Sequence, residues 1–312
     1  MNDYLVMPKL YIRKRIMYQN MKLNDPILLV LTSLFIFAVL VADSIEENEE
    51  TKILYNEGEY ESAIATVDML IDTNPLNIEA LSLKGDLLSA EGKKKEAIDF
   101  YNKVISIDPS DSDAWFKKGS TYYELNQYEK AIESSRELIR RDPDNKAAYN
   151  LEANALRKKA EEGGRPVAAD DDQQFNAGVY EVAIASYDKA IKIDPNYTSA
   201  WNNKGIALGE LSRFAASIAC FEEAIRINSS YAEAWNNKGV SLDYWGKHRE
   251  SMNCYDEAIK INPLLAEAWY NKANTLALNL TDYDQAKEYY NKSIELAPRF
   301  KGELMTWIYV ET

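Results

Sequence analysis

The sequence repeats a mixed phrase at a fixed interval: AWNNKG runs from Ala200 to Gly205 and again from Ala234 to Gly239, and AWYNKA follows from Ala268 to Ala273, each copy thirty-four residues after the last. Prolines keep the same beat. Pro75, Pro109 and Pro143 are thirty-four apart, Pro263 lies two intervals beyond Pro195 with Ser229 at the skipped place, and Pro298 comes one residue late. A period of this length marks one supersecondary unit copied along the chain, each copy too small to bury its apolar face except against its neighbours.

Between successive prolines two apolar patterns of helical spacing occur, for example Trp115, Lys118, Gly119 and Tyr122, then Ala131, Ile132, Leu138 and Ile139. Each unit therefore predicts a helix, a turn and a second helix. Where the two helices cross, Gly85, Gly119, Gly205 and Gly239 on the first are expected to face Ala97, Ala131, Ser217 and Ser251 on the second, small side chains that let backbones approach. Trp115, Trp201, Trp235 and Trp269 early in the first helix, with Tyr101, Tyr187, Phe221 and Tyr255 late in the second, supply the large surfaces to bury. Asp108-Pro109, Asp142-Pro143 and Asp194-Pro195 end the second helix, because the residue before proline avoids the helical region and proline has no N–H.

This order of Trp, Gly, Ala, aromatic and Pro resembles the tetratricopeptide repeat. The resemblance implies an all-α, right-handed solenoid of about seven helix-turn-helix units over 44–300: 44–77, 78–111, 112–145, 146–197, 198–231, 232–265 and 266–300. A partial capping helix carrying Trp307 is expected over 301–312. The first unit departs from the pattern, since ENEETKIL lacks both the Trp and the Gly. The fourth is eighteen residues longer than the others, and its Gly-Gly, Arg-Pro and Asp run predict an exposed loop over 161–178 that could hinge the array.

Ahead of the repeats, ILLVLTSLFIFAVLVA from Ile27 to Ala42 forms an unbroken apolar run, at about 1.5 Å per residue slightly short of a bilayer core. A basic segment, 1–25, with Lys9, Arg13, Lys14, Arg15 and Lys22, precedes it, and Asp43, Glu46, Glu47, Glu49 and Glu50 follow it. The expectation is a single transmembrane helix over 26–43, its N-terminus cytoplasmic and the repeat array outside. A cleaved signal, giving a secreted chain, and a soluble cytoplasmic helix are the alternatives; Leu40 fits a cleavage site poorly.

Arrays of this family twist so that the first helices line a concave groove, which holds an extended peptide or a partner helix. In AWNNKG the second Asn is expected on the groove side, giving a column of Asn203, Asn237 and Asn271 whose amides can pair with a peptide backbone. The column is similar to the asparagine ladder of O-GlcNAc transferases, although Leu83, Lys117 and Leu151 interrupt it in earlier units. Asn is also frequent at this place in ordinary repeats, so a packing role stays open beside the binding role. Asn202, Asn236, Tyr270, Asn274, Phe116 and Tyr123 are further groove candidates.

Other functions find less support. A formal net charge of -14 repels phosphate backbones, so no nucleic acid is expected as partner. The carboxylate clamp of chaperone cofactors needs a Lys where this chain has Ser82, Phe116, Asn150, Asn202, Asn236 and Tyr270. Cys220 and Cys254 occupy equivalent places in neighbouring units and are expected as free thiols. His248 stands where other units have Tyr128, Tyr180 and Phe214, which suits an aromatic substitute better than a catalytic base. No catalytic residue, cofactor or metal site is expected. The reading is a membrane-anchored scaffold for a protein or peptide, with self-assembly into a homo-oligomer as the alternative.

Overall fold

The computed structural model describes residues 60–162 and 170–301, and among the described residues all regular structure is helical. Thirteen α-helices follow one another: α1 (Tyr60–Thr73), α2 (Ile78–Ala90), α3 (Lys94–Ile107), α4 (Ser112–Glu124), α5 (Tyr128–Arg141), α6 (Lys146–Glu162), α7 (Asp170–Ile193), α8 (Thr198–Glu210), α9 (Phe214–Ile227), α10 (Ala232–Tyr244), α11 (His248–Ile261), α12 (Ala266–Leu278) and α13 (Tyr283–Leu296). A short 3-10 turn, Pro298–Phe300, comes last. The expected membrane helix at 26–43, the first helix of unit 44–77 and all but the first residue of the cap at 301–312 lie outside the described residues. No helix of the described residues is long and apolar enough to cross a membrane.

The chain divides into two compact units, Met1–Lys93 and Lys94–Thr312. In the first, α1 packs on α2 through Ala63, Val67, Leu70, Ala80 and Leu87. In the second, α3 to α13 pack in strict chain order, each even-numbered helix between the odd-numbered ones before and after it. The even-numbered helices α4 to α12 also touch one another in succession.

Each joint repeats the same parts. The Trp indoles tie the start of a first helix to the preceding turn: Trp115 Nε1 donates to the Pro109 carbonyl (3.1 Å), Trp201 to Pro195 (3.0 Å), Trp235 to Ser229 (3.3 Å) and Trp269 to Pro263 (2.9 Å). Because the acceptor is a backbone carbonyl, Ser229 serves as well as proline. The Asp or Asn ending the second helix accepts the N–H two residues on, as at Asp108 to Ser110, Asp194 to Asn196, Asn228 to Ser230 and Asn262 to Leu264. Helix termination therefore uses a side-chain acceptor as well as the proline ring.

Between α8 and α9 the expected close crossing is present. Ser217 Oγ donates to the Gly205 carbonyl at 2.7 Å. At Gly205 and Gly239 the tightest neighbour is, however, an aromatic ring. A Cβ on Gly205 would lie 2.7 Å from Phe221 Cε1, and one on Gly239 would lie 2.6 Å from Tyr255 Cε1. The turn between the paired helices holds a left-handed residue at one recurring place, Gly92, Asn126, Ser212, Gly246 and Thr281.

The interrupted unit differs from expectation. The loop predicted over 161–178 is largely helical: α6 runs through Glu162, and α7 starts at Asp170 and reaches twenty-four residues. Asp-Asp-Asp-Gln-Gln reads as a solvated loop, but acids also complement the positive end of a helix and Gln and Ala extend it. Nor does the apolar core break there. Tyr149, Leu156, Ala160, Tyr180, Ala183 and Tyr187 belong to a cluster running from α5 to α9.

Candidate peptide-binding face

Helices α6, α8, α10 and α12 place the asparagines of the repeated phrase in one row. Asn203 Nδ2 donates to Asn154 Oδ1 (3.0 Å), Asn237 Nδ2 to Asn202 Oδ1 (3.1 Å) and Asn271 Nδ2 to Asn236 Oδ1 (3.0 Å), each bond joining successive first helices. Within a helix, Asn202 Nδ2 donates to Asn203 Oδ1 (3.2 Å) and Asn236 Nδ2 to Asn237 Oδ1 (3.3 Å). The result is an uninterrupted amide row from Asn271 to Asn154, with every inter-helix donor pointing toward the N-terminal end. An amide has two N–H donors and two acceptor lone pairs, so within this row Asn203 and Asn237 each use one of each.

The row sorts the sequence candidates. Asn203, Asn237 and Asn271 are half-buried, while Asn202 and Asn236, expected to face the groove, are buried between helices at 4% and 6% exposure. Their place in the phrase points along the joint to the next first helix, where each accepts its amide. Tyr270 stacks on Phe300 with centroids 4.6 Å apart and so belongs to the C-terminal packing. Asn274 is half-buried with its Oδ1 buried and unpartnered. Phe116 and Tyr123 are half-buried on α4, Tyr123 against the Tyr128 ring at 5.6 Å, two first helices away from α8. Sequence spacing missed Asn154: Leu151 fills the aligned position, and the amide that continues the row stands one helical turn later.

The Lys of the phrase fastens each first helix to the second helix before it. Lys204 pairs with Asp188 (2.5 Å), Lys238 with Glu222 (2.8 Å) and Lys272 with Asp256 (2.5 Å); in the first unit Lys84 pairs with Asp68 (2.7 Å). Between α5 and α6 the charges are exchanged, with Arg136 on the second helix and Glu152 on the first (2.7 Å), and Ser186 Oγ also donates to Glu152 (2.9 Å). These contacts hold the amides in register.

Side chains with chemical potential elsewhere are engaged. His248 Nδ1 lies 2.6 Å from Asp243 Oδ1, which Asn279 also approaches. Cys220 and Cys254 are free thiols, buried at 5% exposure, and burial pushes both up to about 11. Among the described residues no group of three or more His, Cys, Asp and Glu could hold a metal ion.

Comparison with known proteins agrees with this architecture. Models of the tetratricopeptide repeat match residues 78–111, 100–133, 172–212, 198–231, 232–263 and 266–300, together more than half of the chain. No curated protein sequence matches it. Among solved structures the chain is similar to a tetratricopeptide repeat protein from Parabacteroides merdae, at 17% identity, with 83% of this chain and 96% of that chain covered and a TM-score of 0.64. It is also similar to a thermophilic protein of the same kind from Thermus thermophilus, at 19% identity, covering 64% and 100%, with a TM-score of 0.54. A third likeness is to the APC/C Cut9–Hcn1 hetero-tetramer, at 15% identity, covering 80% and 45%, with a TM-score of 0.59. At these identities the likenesses speak to the fold alone. The chain belongs to the tetratricopeptide repeat family.

Proposed function

We propose that this chain is a membrane-anchored scaffold that captures an extended peptide or protein segment along the face formed by α4, α6, α8, α10 and α12, a concave groove in a right-handed superhelix. The observation that carries the reading is the amide row. Half-buried Asn203 and Asn237 each keep a donor and an acceptor beyond those used in the row, repeated at the period of the array, which suits a peptide backbone better than any one side chain. The chemistry is binding, with no catalytic step.

The test uses random ten-residue peptides on an array, probed with the full-length chain in mild detergent. Wild type is expected to retain a sequence-diverse set, and the triple change Asn203→Ala, Asn237→Ala and Asn271→Ala to lose most of it. Equal retention by the variant would reject the amide row as the binding element. The same change is expected to lower Tm modestly, since each inter-helix amide bond is worth about 1 kcal/mol.

For the anchor at 26–43, the supporting observation is the apolar run with basic residues before it and acidic residues after it. A Glu50→Cys variant in intact cells should react with an impermeant thiol reagent, against a low background from buried Cys220 and Cys254. Protection of position 50 would reverse the orientation. Self-assembly is the second reading, favoured by exposed Tyr244, Trp245 and Leu278 at neighbouring helix ends. Light scattering at micromolar concentration separates the two, with a monomer counting against it.

A further inference from the structure

Helix α6 carries Asn150, Asn154, Arg157 and Glu161 at spacings of four, three and four residues, and so along one face. Two of them have a buried atom with no hydrogen-bond partner, Asn150 Oδ1 and Arg157 Nε. Arg157 is 9% exposed; one terminal nitrogen donates to Glu161, and its guanidinium lies against the Tyr187 hydroxyl and close to Tyr123. That hydroxyl donates to Asn154 Oδ1 at 2.7 Å, the atom that also receives Asn203 at the end of the amide row. The polar stripe on α6 thus continues the row and ends on a cation with an unused N–H.

Buried groups left unpaired are costly, and an orphan N–H on a guanidinium is complemented best by an anion. A carboxylate can take Nε and a terminal N–H together as a planar fork. Glu161, one turn further along the same helix, accepts from Nη1, the terminal nitrogen on the side away from the Nε–H, so it does not occupy the edge formed by Nε and Nη2. Glu161 also accepts from Lys158 at 2.7 Å, so its charge is shared between two cations.

Building on the groove reading above, we propose that the Nε edge of Arg157 is the docking point for a carboxylate of the captured segment, with Glu161 on the opposite edge as a like charge that weakens the ligand's hold. Asn150 Oδ1, about 10 Å back along the helix at 1.5 Å per residue, accepts an N–H from the same ligand. The carboxylate comes from an acidic side chain or from a chain terminus, and the fork is the same for both.

The random peptide array distinguishes these when printed in two sets, with free and with amidated C-termini, and probed with the full-length wild type, Arg157→Gln and Glu161→Gln. Wild type is expected to retain peptides sharing an acidic residue in both sets if the side chain is bound, and peptides with a free C-terminus but not their amidated copies if the terminus is. Arg157→Gln should bind the retained peptides about tenfold more weakly and lose the acidic preference, and Glu161→Gln should bind them about threefold to tenfold more tightly. Peptides retained without regard to carboxylates, and equally by Arg157→Gln, would overturn the docking point while the groove reading stood. If Arg157→Gln loses helicity, Glu161→Gln alone decides, and unchanged affinity there would overturn the docking point. No peptide retained by any form would reject both readings.

Discussion

Thr281 holds a left-handed backbone, φ 57°, at the place where Gly92 and Gly246 sit in other units. Glycine enters that region freely, asparagine with modest strain, and a β-branched residue at a cost of about 1–2 kcal/mol. Thr281→Gly is therefore expected to raise Tm by a few degrees in thermal denaturation, more than Ser212→Gly does; a fall would mean that the Thr281 hydroxyl matters more than the strain. This residue explains what was legible and what was not. The one-residue delay at Pro298 was visible in the sequence, but the backbone sign at the turn was hidden, because five different turns use three residues other than glycine. Asn154 was hidden for a related reason. Alignment at the repeat period compares equivalent positions, whereas the bond from Asn203 reaches a side chain one turn off the aligned one.

Helix-to-helix joints were legible wherever size decided them and illegible wherever charge did. The close approach of Gly205 to Ser217 follows from their small size, while Phe221 as the nearest neighbour of Gly205 did not show in the spacing, although the Gly and aromatic positions recur at the repeat period. The ion pair from each first helix to the second helix sixteen residues before it needs the structure, since acids and lysines occur on most exposed faces. These pairs have a shared form, with the Lys side chain 7–19% exposed and its acid 53–56% exposed. Each such pair is worth about 1 kcal/mol or less. At the α5–α6 joint the better-buried member is Glu152, 10% exposed, which also accepts from Ser186. Glu152→Lys alone is expected to destabilise this joint strongly, by setting like charges together, and Arg136→Glu added to it to recover much of the loss in a double-mutant cycle measured by urea denaturation. Additive losses would show that Arg136 and Glu152 do not interact.

Across the larger unit, stability should depend on acid. Glu137 is held down to about 2 by hydrogen bonds from Arg140 and Arg141, and Glu129, Asp108 and Asp194 are lowered by Lys159, Ser110 and Lys146 respectively. Carboxylates depressed in the folded state contribute stability that is complete above their unfolded values and is lost as pH falls through the folded ones. Tm is expected to be level above about pH 5 and to fall between about pH 4.5 and 2. Glu137→Gln should make that fall shallower, by a modest amount because the side chain is 42% exposed. An unchanged slope would assign the acid sensitivity elsewhere.

The exchanged charges of Arg136 and Glu152 bear on how such a chain can be lengthened or shuffled. A duplicate of α6 inserted after α9 would oppose Glu152 to Glu222, and a duplicate of α8 inserted after α5 would oppose Lys204 to Arg136. Unequal crossing-over in the gene, the ordinary route by which tandem modules multiply, therefore meets a barrier at this point in the order, and the fourth module is keyed to the third.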